Sequence, residues 1–325
     1  MANTKLVVIA VGGNALIKDP KKASIADQFE AAEQTAASVV KLVKEGWRVV
    51  LTHGNGPQVG FALRRSELAA KELAPVPMDY AIANTQGTLG YMFQKAFHEA
   101  FAMEGLDIPV ATVITQTVVS KDDAAFANPS KPIGSFYDKE AAEHLAQEMG
   151  WTVMEDSGRG WRRCVPSPAP LELVELRQIQ KLSEDGYLVI ACGGGGVPVV
   201  REGNILNGIE GVIDKDLTSA LLATLLRADY LVIPTAGGDG IALDFGKPTE
   251  RRLAKLTYTE AKERCDNGYF AKGSMLEKVM ATVKYTGAHP EGTAIITTLD
   301  RMLDAIAGKA GTQISQRITT TEARP

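Results

Sequence analysis

Cysteine is scarce in this 325-residue chain. Its 3 cysteines, Cys164, Cys192 and Cys265, form no close pair. That argues against a disulfide framework or a zinc ribbon, both of which need paired cysteines at short spacing. Histidine is nearly as rare: His53, His98, His144 and His289 stand at no metal-ligand spacing. No apolar run approaches the ~20 residues that span a bilayer, and mean hydropathy is -0.05. The apolar run Leu6–Val11 ends in Gly12-Gly13-Asn14, without a basic leader or a small-residue cleavage site. A reducing, cytoplasmic setting is expected. Neither charge sign dominates, with 35 Lys+Arg against 39 Asp+Glu and a formal net charge of -4. Such a chain lacks the positive field that condenses on DNA or RNA. Neither nucleic acid nor membrane is an expected partner, while a local basic site for a small anion is compatible with this balance.

What is present is the ordinary mixture of a globular domain, 45% hydrophobic and 23% charged. The chain is long enough to bury a core without staples. Short β-branched runs alternate with amphipathic stretches. Strands are predicted at Leu6–Val11, Val49–Thr52, Pro109–Thr115, Tyr187–Cys192, Tyr230–Pro234 and Thr293–Thr297. Helices are predicted near 27–45, 57–72, 84–104, 216–227, 275–286 and 299–308. This alternation predicts a mostly parallel sheet with helices on both faces. Residues 120–170 break the rhythm with five prolines and only a weak strand at Trp151–Met154. They read as an inserted subdomain or lid, because structureless loops beyond about 15 residues are uncommon. The polar, Thr-rich tail after Ile314 is expected to fray.

Three glycine clusters follow apolar strands: Gly12-Gly13-Asn14, Gly54-Asn55-Gly56 and Gly193-Gly194-Gly195-Gly196. At the carboxyl ends of parallel strands, glycine lets backbone N–H groups approach an anion closely. A helix starting there adds its positive dipole end. One cluster reads equally well as a tight turn; three at equivalent places favour an extended anionic ligand or two ligands meeting. The P-loop pattern Gly-x-x-x-x-Gly-Lys-Ser/Thr is absent, and Gly-x-Gly-x-x-Gly does not follow the first strand. Asp214-Lys215-Asp216 opens a helix, with Asp216 able to serve as N-cap. Lys215 reads either as part of a solvated turn or as an amine held by carboxylates and aimed at a phosphate. Lys131 lies on the irregular stretch. Lys278 follows Gly273-Ser274-Met275 at another helix start. His53 is read as packing beside the Gly54–Gly56 loop.

In order along the chain, several segments resemble those of carbamate kinases, in the amino-acid kinase superfamily. They include Gly12-Gly13-Asn14-Ala15-Leu16, Thr52-His53-Gly54-Asn55-Gly56-Pro57, Asn128-Pro129-Ser130-Lys131-Pro132-Ile133-Gly134, Cys192-Gly193-Gly194-Gly195-Gly196, Ile213-Asp214-Lys215-Asp216-Leu217 and Phe270-Ala271-Lys272-Gly273-Ser274-Met275. The resemblance runs from about residue 6 to about residue 314. It implies a three-layer α/β/α sandwich with an eight-stranded, mainly parallel central sheet and a protruding subdomain at 120–170. It implies one domain over 1–314, with a carbamate-binding and dimerisation lobe (1–185), a nucleotide-binding lobe (186–314) and a polar tail (315–325). The implied reaction joins ATP and carbamate to ADP and carbamoyl phosphate, with Mg2+ held mainly by nucleotide phosphates and water rather than by a protein metal site. A homodimer is implied as well.

By the same resemblance Lys131, Lys215, Asp216 and Lys278 are the catalytic set. Gly12, Gly13, Asn14, Gly54, Asn55 and Gly56 face the acceptor substrate. Asp214, Lys215, Thr235, Asp239, Gly273, Ser274, Met275 and Lys278 face the nucleotide. Many relatives in the superfamily carry a lysine just before the first Gly-Gly. Here those positions are Ala10 and Val11, as in carbamate kinases, and the lid lysine takes its place. Three segments depart from the family's usual pattern: Thr235-Ala236-Gly237-Gly238-Asp239-Gly240, Asn84-Thr85-Gln86-Gly87 and Arg64-Arg65-Ser66-Glu67. Asn84-Thr85 motivates one alternative, a kinase for another small carboxylate-like acceptor, and the 235–240 loop a second, a non-catalytic nucleotide or carbamoyl-phosphate sensor.

Overall fold

Strand β1 (Leu6–Val11) is buried at all six positions. Its side chains alternate between two separate cores. Leu6, Val8 and Ala10 join one cluster, and Val7, Ile9 and Val11 join the other. A strand that is apolar on both faces belongs mid-sheet, with helices above and below. The computed structural model describes residues 4–17, 23–156, 158, 160–271 and 275–323.

From β1 the chain runs through α1 (Gly13–Leu16), α2 (Ile25–Lys44), β2 (Arg48–His53), α3 (Gly56–Ala69), α4 (Met78–Met103), β3 (Val110–Thr112) and β4 (Gln116–Val118). Next come α5 (Ala124–Ala127), β5 (Lys131–Tyr137), α6 (Lys139–Met149), β6 (Thr152–Glu155) and β7 (Trp161–Val165). The segment β8 (Glu172–Leu173), α7 (Leu176–Glu184), β9 (Leu188–Ile190), β10 (Val197–Glu202) and β11 (Ile205–Gly208) follows. The remainder is α8 (Lys215–Leu225), β12 (Tyr230–Pro234), β13 (Ala242–Leu243), β14 (Arg251–Thr257), α9 (Tyr258–Asp266), α10 (Met275–Ala288), β15 (Thr293–Thr297), α11 (Met302–Ile306), β16 (Thr312–Ser315) and β17 (Glu322–Ala323).

The main sheet has the order β13-β14-β16-β15-β12-β1-β2-β9-β3, with β17 added beside β14. It has ten strands among the described residues; the two beyond the expected eight, β13 and β17, are two-residue edge strands. The run β15-β12-β1-β2-β9-β3 is parallel throughout. Antiparallel pairing enters at β15–β16 and at the β13 and β17 contacts with β14. The β17 pairing corrects the expectation of a frayed tail. Thr321 anchors it further by accepting from the Thr257 N–H at 3.2 Å. Helix α4 lays Phe93, Phe97 and Phe101 along one buried stripe at four-residue spacing, with ring centroids 6.3 and 5.9 Å apart.

The stretch at 120–170 is more regular than its prolines suggest. It holds a three-stranded antiparallel sheet, β5-β7-β6, with α6 beside it. Pro132 and Gly134 read as strand breakers, yet both lie within β5. The register shifts between Ile133 and Tyr137, where Gly134 takes φ +71°. A bulge of this kind tolerates the glycine and turns the strand. The sheet's root is buried: Ile133 and Val165 pack with Val59 and Leu63 of α3.

Because β9, β2, β1 and β12 are neighbours and parallel, their carboxyl ends share one edge. All three glycine clusters and the Thr235–Asp239 loop therefore emerge side by side, as expected for ligand binding in such a sheet.

Candidate active site

The glycine turns are packed on one another. A Cβ on Gly54 would stand 2.5 Å from the Gly13 nitrogen, so only glycine permits that approach. Gly12 and Gly56 instead have no atoms within 4 Å of a would-be Cβ. The Gly193–Gly196 turn folds over the second cluster. A Cβ on Gly194, where φ is +66°, would lie 2.2 Å from the Asn55 amide. One on Gly193 would meet the His53 ring at 2.6 Å. Asn55 is buried and donates to Thr85 Oγ1 at 2.8 Å, tying the acceptor turn to α4. Gln86 bonds the backbone of Thr115 in both directions, at 3.0 and 2.8 Å. The atypical Asn84-Thr85-Gln86-Gly87 segment thus supports these turns from beneath. His53 sits where the sequence reading placed it, buried beside the loop with Phe93 5.6 Å away. Burial drives its pKa down to about 4, the Lys215 charge adding and the Gly54 carbonyl opposing. It is a neutral packing group at pH 7.

Three lysines from three elements converge above this floor. Helix α8 begins with Asp214 as N-cap, its Oδ1 accepting from the Asp216 and Leu217 N–H groups at 2.9 and 3.3 Å. This corrects the expectation that Asp216 caps the helix. Asp216 lies inside the first turn, which leaves both its oxygens for side chains. Lys215 bonds one oxygen, and the Lys278 ammonium, from the first turn of α10, reaches the other at 3.0 Å. Lys215 also donates to the Ala10 carbonyl at 2.9 Å. Its amine therefore meets the end of β1. From the subdomain, Lys131 pairs with Asp214 Oδ2 at 2.7 Å. Lys131, Asp214, Lys215, Asp216 and Lys278 form one connected array.

Burial opposes charge throughout this array, and neighbours decide the outcome. Burial pushes the Asp216 carboxyl up, but Lys215 and Lys278 outweigh it and bring the pKa down to about 2. For Lys215 burial wins: its pKa falls, with the Lys278 charge adding, although Asp216 and Asp214 oppose. Both pKa values fall, which favours the charged form of Asp216 and disfavours that of Lys215, because burial outweighs the carboxylates only at the lysine. Burial also pulls Lys131 down, yet Asp214, Glu277 and Asp216 together leave its pKa raised.

Comparison with known proteins identifies the family. Residues 5–291 match the Amino acid kinase family. The carbamate kinase of Thermococcus kodakarensis is 47% identical over 313 residues, covering 95% of this chain and 99% of that protein. The carbamate kinase-like protein YqeA of Escherichia coli is 44% identical, covering 96% and 100%. The structure of carbamate kinase from Giardia lamblia bound to AMP-PNP superimposes with a TM-score of 0.89 at 41% identity, covering 97% and 99%. The chain belongs to the carbamate kinases.

Set within that family, the remaining predicted residues divide. Met275 opens α10, while Gly273, Ser274 and the side chain of Asn14 lie outside the described residues. Thr235 bonds Thr297 through its backbone at 2.8 Å and accepts from the Gly237 N–H at 3.2 Å. Asp239 turns towards the C-terminal strands. Its Oδ1 accepts from Thr297 Oγ1 at 2.8 Å and the Gly311 N–H at 2.9 Å, and its Oδ2 accepts from Arg301 at 2.8 Å. In this structure Asp239 braces the long 235–240 loop. Arg162 bonds Asp156 at 2.9 Å beside the turn between β6 and β7. Arg163 lies over Trp151 instead, 4.9 Å from the ring centroid, and Arg159 lies outside the described residues. A small cleft lined by Gly60, Leu63, Arg64, Tyr137, Trp151 and Arg163 lies beside the contact of α3 with the subdomain and holds none of the predicted site residues.

Sequence reasoning missed the Ala10 carbonyl as a lysine acceptor, the charge of Glu277 acting on Lys131, and the buried Thr52–Ser219 hydroxyl pair at 2.6 Å. No local signal marks them, since each pairing depends on the sheet order. Among the described residues no three His, Cys, Asp or Glu side chains gather as a metal cage. The carboxylates of Asp214 and Asp216 are already engaged by lysines.

Proposed function

We propose that the chain transfers a phosphoryl group reversibly between ATP and carbamate, forming ADP and carbamoyl phosphate. The carrying observation is the convergence of Lys131, Lys215 and Lys278 through Asp214 and Asp216 beside the glycine turns. Carbamate is an anion at neutral pH, so its oxygen attacks the γ-phosphorus without a general base. The bond from that phosphorus to the β-phosphate oxygen breaks, and its electron pair leaves with ADP. The protein's task is alignment and charge neutralisation. A neutral His53 is consistent with that, as no proton needs removing.

In this reading Lys215, oriented by Asp216, neutralises the transferring group, and Lys131 reaches it from the subdomain. Lys278 holds the outer phosphates. Backbone N–H groups of Gly12, Gly13, Gly54, Asn55 and Gly56 face the acceptor, with Asn14 beside them. Thr235, Asp239, Gly273, Ser274 and Met275 belong to the nucleotide side. Mg2+, bound mainly by phosphates and water, supplies further charge neutralisation on the nucleotide. Residues 1–185 would serve carbamate binding and dimerisation, and residues 186–314 nucleotide binding. The exposed Tyr80 and Tyr91 on α4 support pairing with a second copy through the first part. The cellular role proposed is ATP formation in the cytoplasm from carbamoyl phosphate released by arginine or citrulline breakdown.

A coupled assay with carbamoyl phosphate, Mg2+ and a panel of nucleoside diphosphates tests this. ATP formation from ADP is the expected result. No turnover, or faster turnover with acetyl phosphate, would overturn the proposal.

A further inference from the structure

Asp214 uses its two carboxylate oxygens for different purposes. Oδ1 caps α8, the helix that carries Lys215 and Asp216. Oδ2 receives the Lys131 ammonium from the protruding subdomain, 83 residues away in sequence. We propose that Asp214 is a positioning residue for Lys131, holding that amine at the lysine array before substrate arrives. For its effect on turnover this inference rests on the kinase reading above; for the placement of Lys131 it does not.

Two observations carry it. First, capping does not require this charge. Asparagine or serine caps a helix about as well, so the carboxylate's second oxygen has a use of its own. Second, the array has a charge problem that Asp214 answers. Lys215 and Lys278 both face Asp216. Without Asp214, a third ammonium would approach two others that already share Asp216, with Glu277 the remaining carboxylate acting on it and no ion pair to hold it. Lys131 has the freedom to avoid that approach: its side chain is 36% exposed, against 11% for Lys215 and 17% for Lys278. Its strand is held at two neighbouring points, the buried Ile133 against α3 and the Lys131–Asp214 pair itself. Loss of Asp214 would therefore release the amine first and loosen the strand behind it. With Asp214 present, the amine is already gathered, and an incoming phosphoryl oxygen takes it over by a short swing. That is preorganisation of the kind which lowers barriers in phosphoryl transfer.

The test uses the full chain and three changes: Asp214→Asn, Lys131→Met and both together. Asp214→Asn keeps a cap and removes the charge. Lys131→Met breaks the same pair from its half-exposed end without touching the cap. In the ligand-free protein, each single change should raise amide hydrogen exchange in 131–137 and 161–165 by about tenfold, with the interior of α8 unchanged. For turnover, Asp214→Asn should lower kcat for ATP formation by about 10–100-fold, with KM for ADP little altered. The double variant should be no slower than Lys131→Met alone, because the two residues act as one unit. A purely structural cap would leave Asp214→Asn like the wild type in exchange and in kcat, which overturns the proposal. A full, additive further loss in the double variant overturns it too, since Asp214 would then act elsewhere. Should the wild type show no kinase activity, the exchange measurements still decide whether Asp214 places Lys131. If Asp214→Asn does not fold, unchanged exchange in Lys131→Met refutes the placement by itself.

Discussion

At the scale of single residues, Asp216 is a buried carboxylate clamped between two ammonium groups. Its pKa lies near 2, below the ordinary 3.8, so folding favours its charged form. That stabilisation is complete above the unfolded pKa, near pH 4, and is lost as pH falls through the folded value. At about 1.4 kcal/mol per pKa unit it amounts to about 2 kcal/mol. Asp216→Asn resembles the protonated state. The difference in unfolding free energy between wild type and Asp216→Asn should therefore be largest above pH 4 and narrow by about 2 kcal/mol towards pH 2. Denaturant titrations at three pH values read this directly, and a constant gap would contradict the assigned pairing. Lys215 is the amine nearest the Ala10 carbonyl at the sheet edge. Lys215→Ala should reduce kcat by about 10²–10³, as does the loss of one preorganised transition-state donor. Nucleotide binding should suffer less. Equal losses in both would mean that Lys215 chiefly holds the ground state.

At the scale of elements, the decisive contact is glycine on glycine. A Cβ on Gly60 of α3 would sit 2.6 Å from the Gly134 Cα, which is backbone and cannot rotate away. Gly60→Ala gains about 1 kcal/mol of helix propensity, yet it must push β5 outwards. Lys131 starts that strand, and a shift near 1 Å can cost about 10²-fold in rate. Gly60→Ala should thus lower kcat by about 10–100-fold while the melting temperature changes by only a few degrees. Gly87→Ala on α4, where nothing lies within 4 Å, is the control and should be at least as stable as wild type. Strand-glycine-helix punctuation is local, which is why the three turns and the main helices were legible in the sequence, whereas the three lysines were given a role only by resemblance and meet only through the sheet order. Which aspartate caps α8 was not legible. Asp214 and Asp216 are both competent caps two residues apart, and their lysine partners Lys131 and Lys278 are distant in sequence. The same reason hid the role of Asp239, whose partners Thr297, Arg301 and Gly311 come from later elements. Strand β5 was masked by Pro132 and Gly134, which only its pairing with β7 redeems. The tail misled because Thr-rich composition says nothing about an open sheet edge at β14.

At the scale of the whole molecule, the parallel core sheet gathers groups from across the chain onto one edge, and the array is completed from the side by the subdomain. That leaves the far face of α3 and α4 free for another purpose. Tyr80 and Tyr91 are 65% and 69% exposed. At 3.6 residues per turn, eleven residues return to nearly the same direction, so both rings share one helix face. Phe61 and Leu68 of the neighbouring α3 are exposed too, at 39% and 69%. Soluble monomers seldom leave large apolar patches uncovered, and buried tyrosines are frequent energetic centres of interfaces. Sedimentation at tens of micromolar should therefore give twice the 34.7 kDa chain mass. Tyr80→Asp combined with Tyr91→Asp places two carboxylates on that face, where desolvation penalises pairing. It should raise the dimer Kd by about 100-fold or more, while the ligand-free exchange of β5 stays as in the wild type. A wild-type monomer at that concentration, or an intact dimer in the double variant, would remove this face from the assembly.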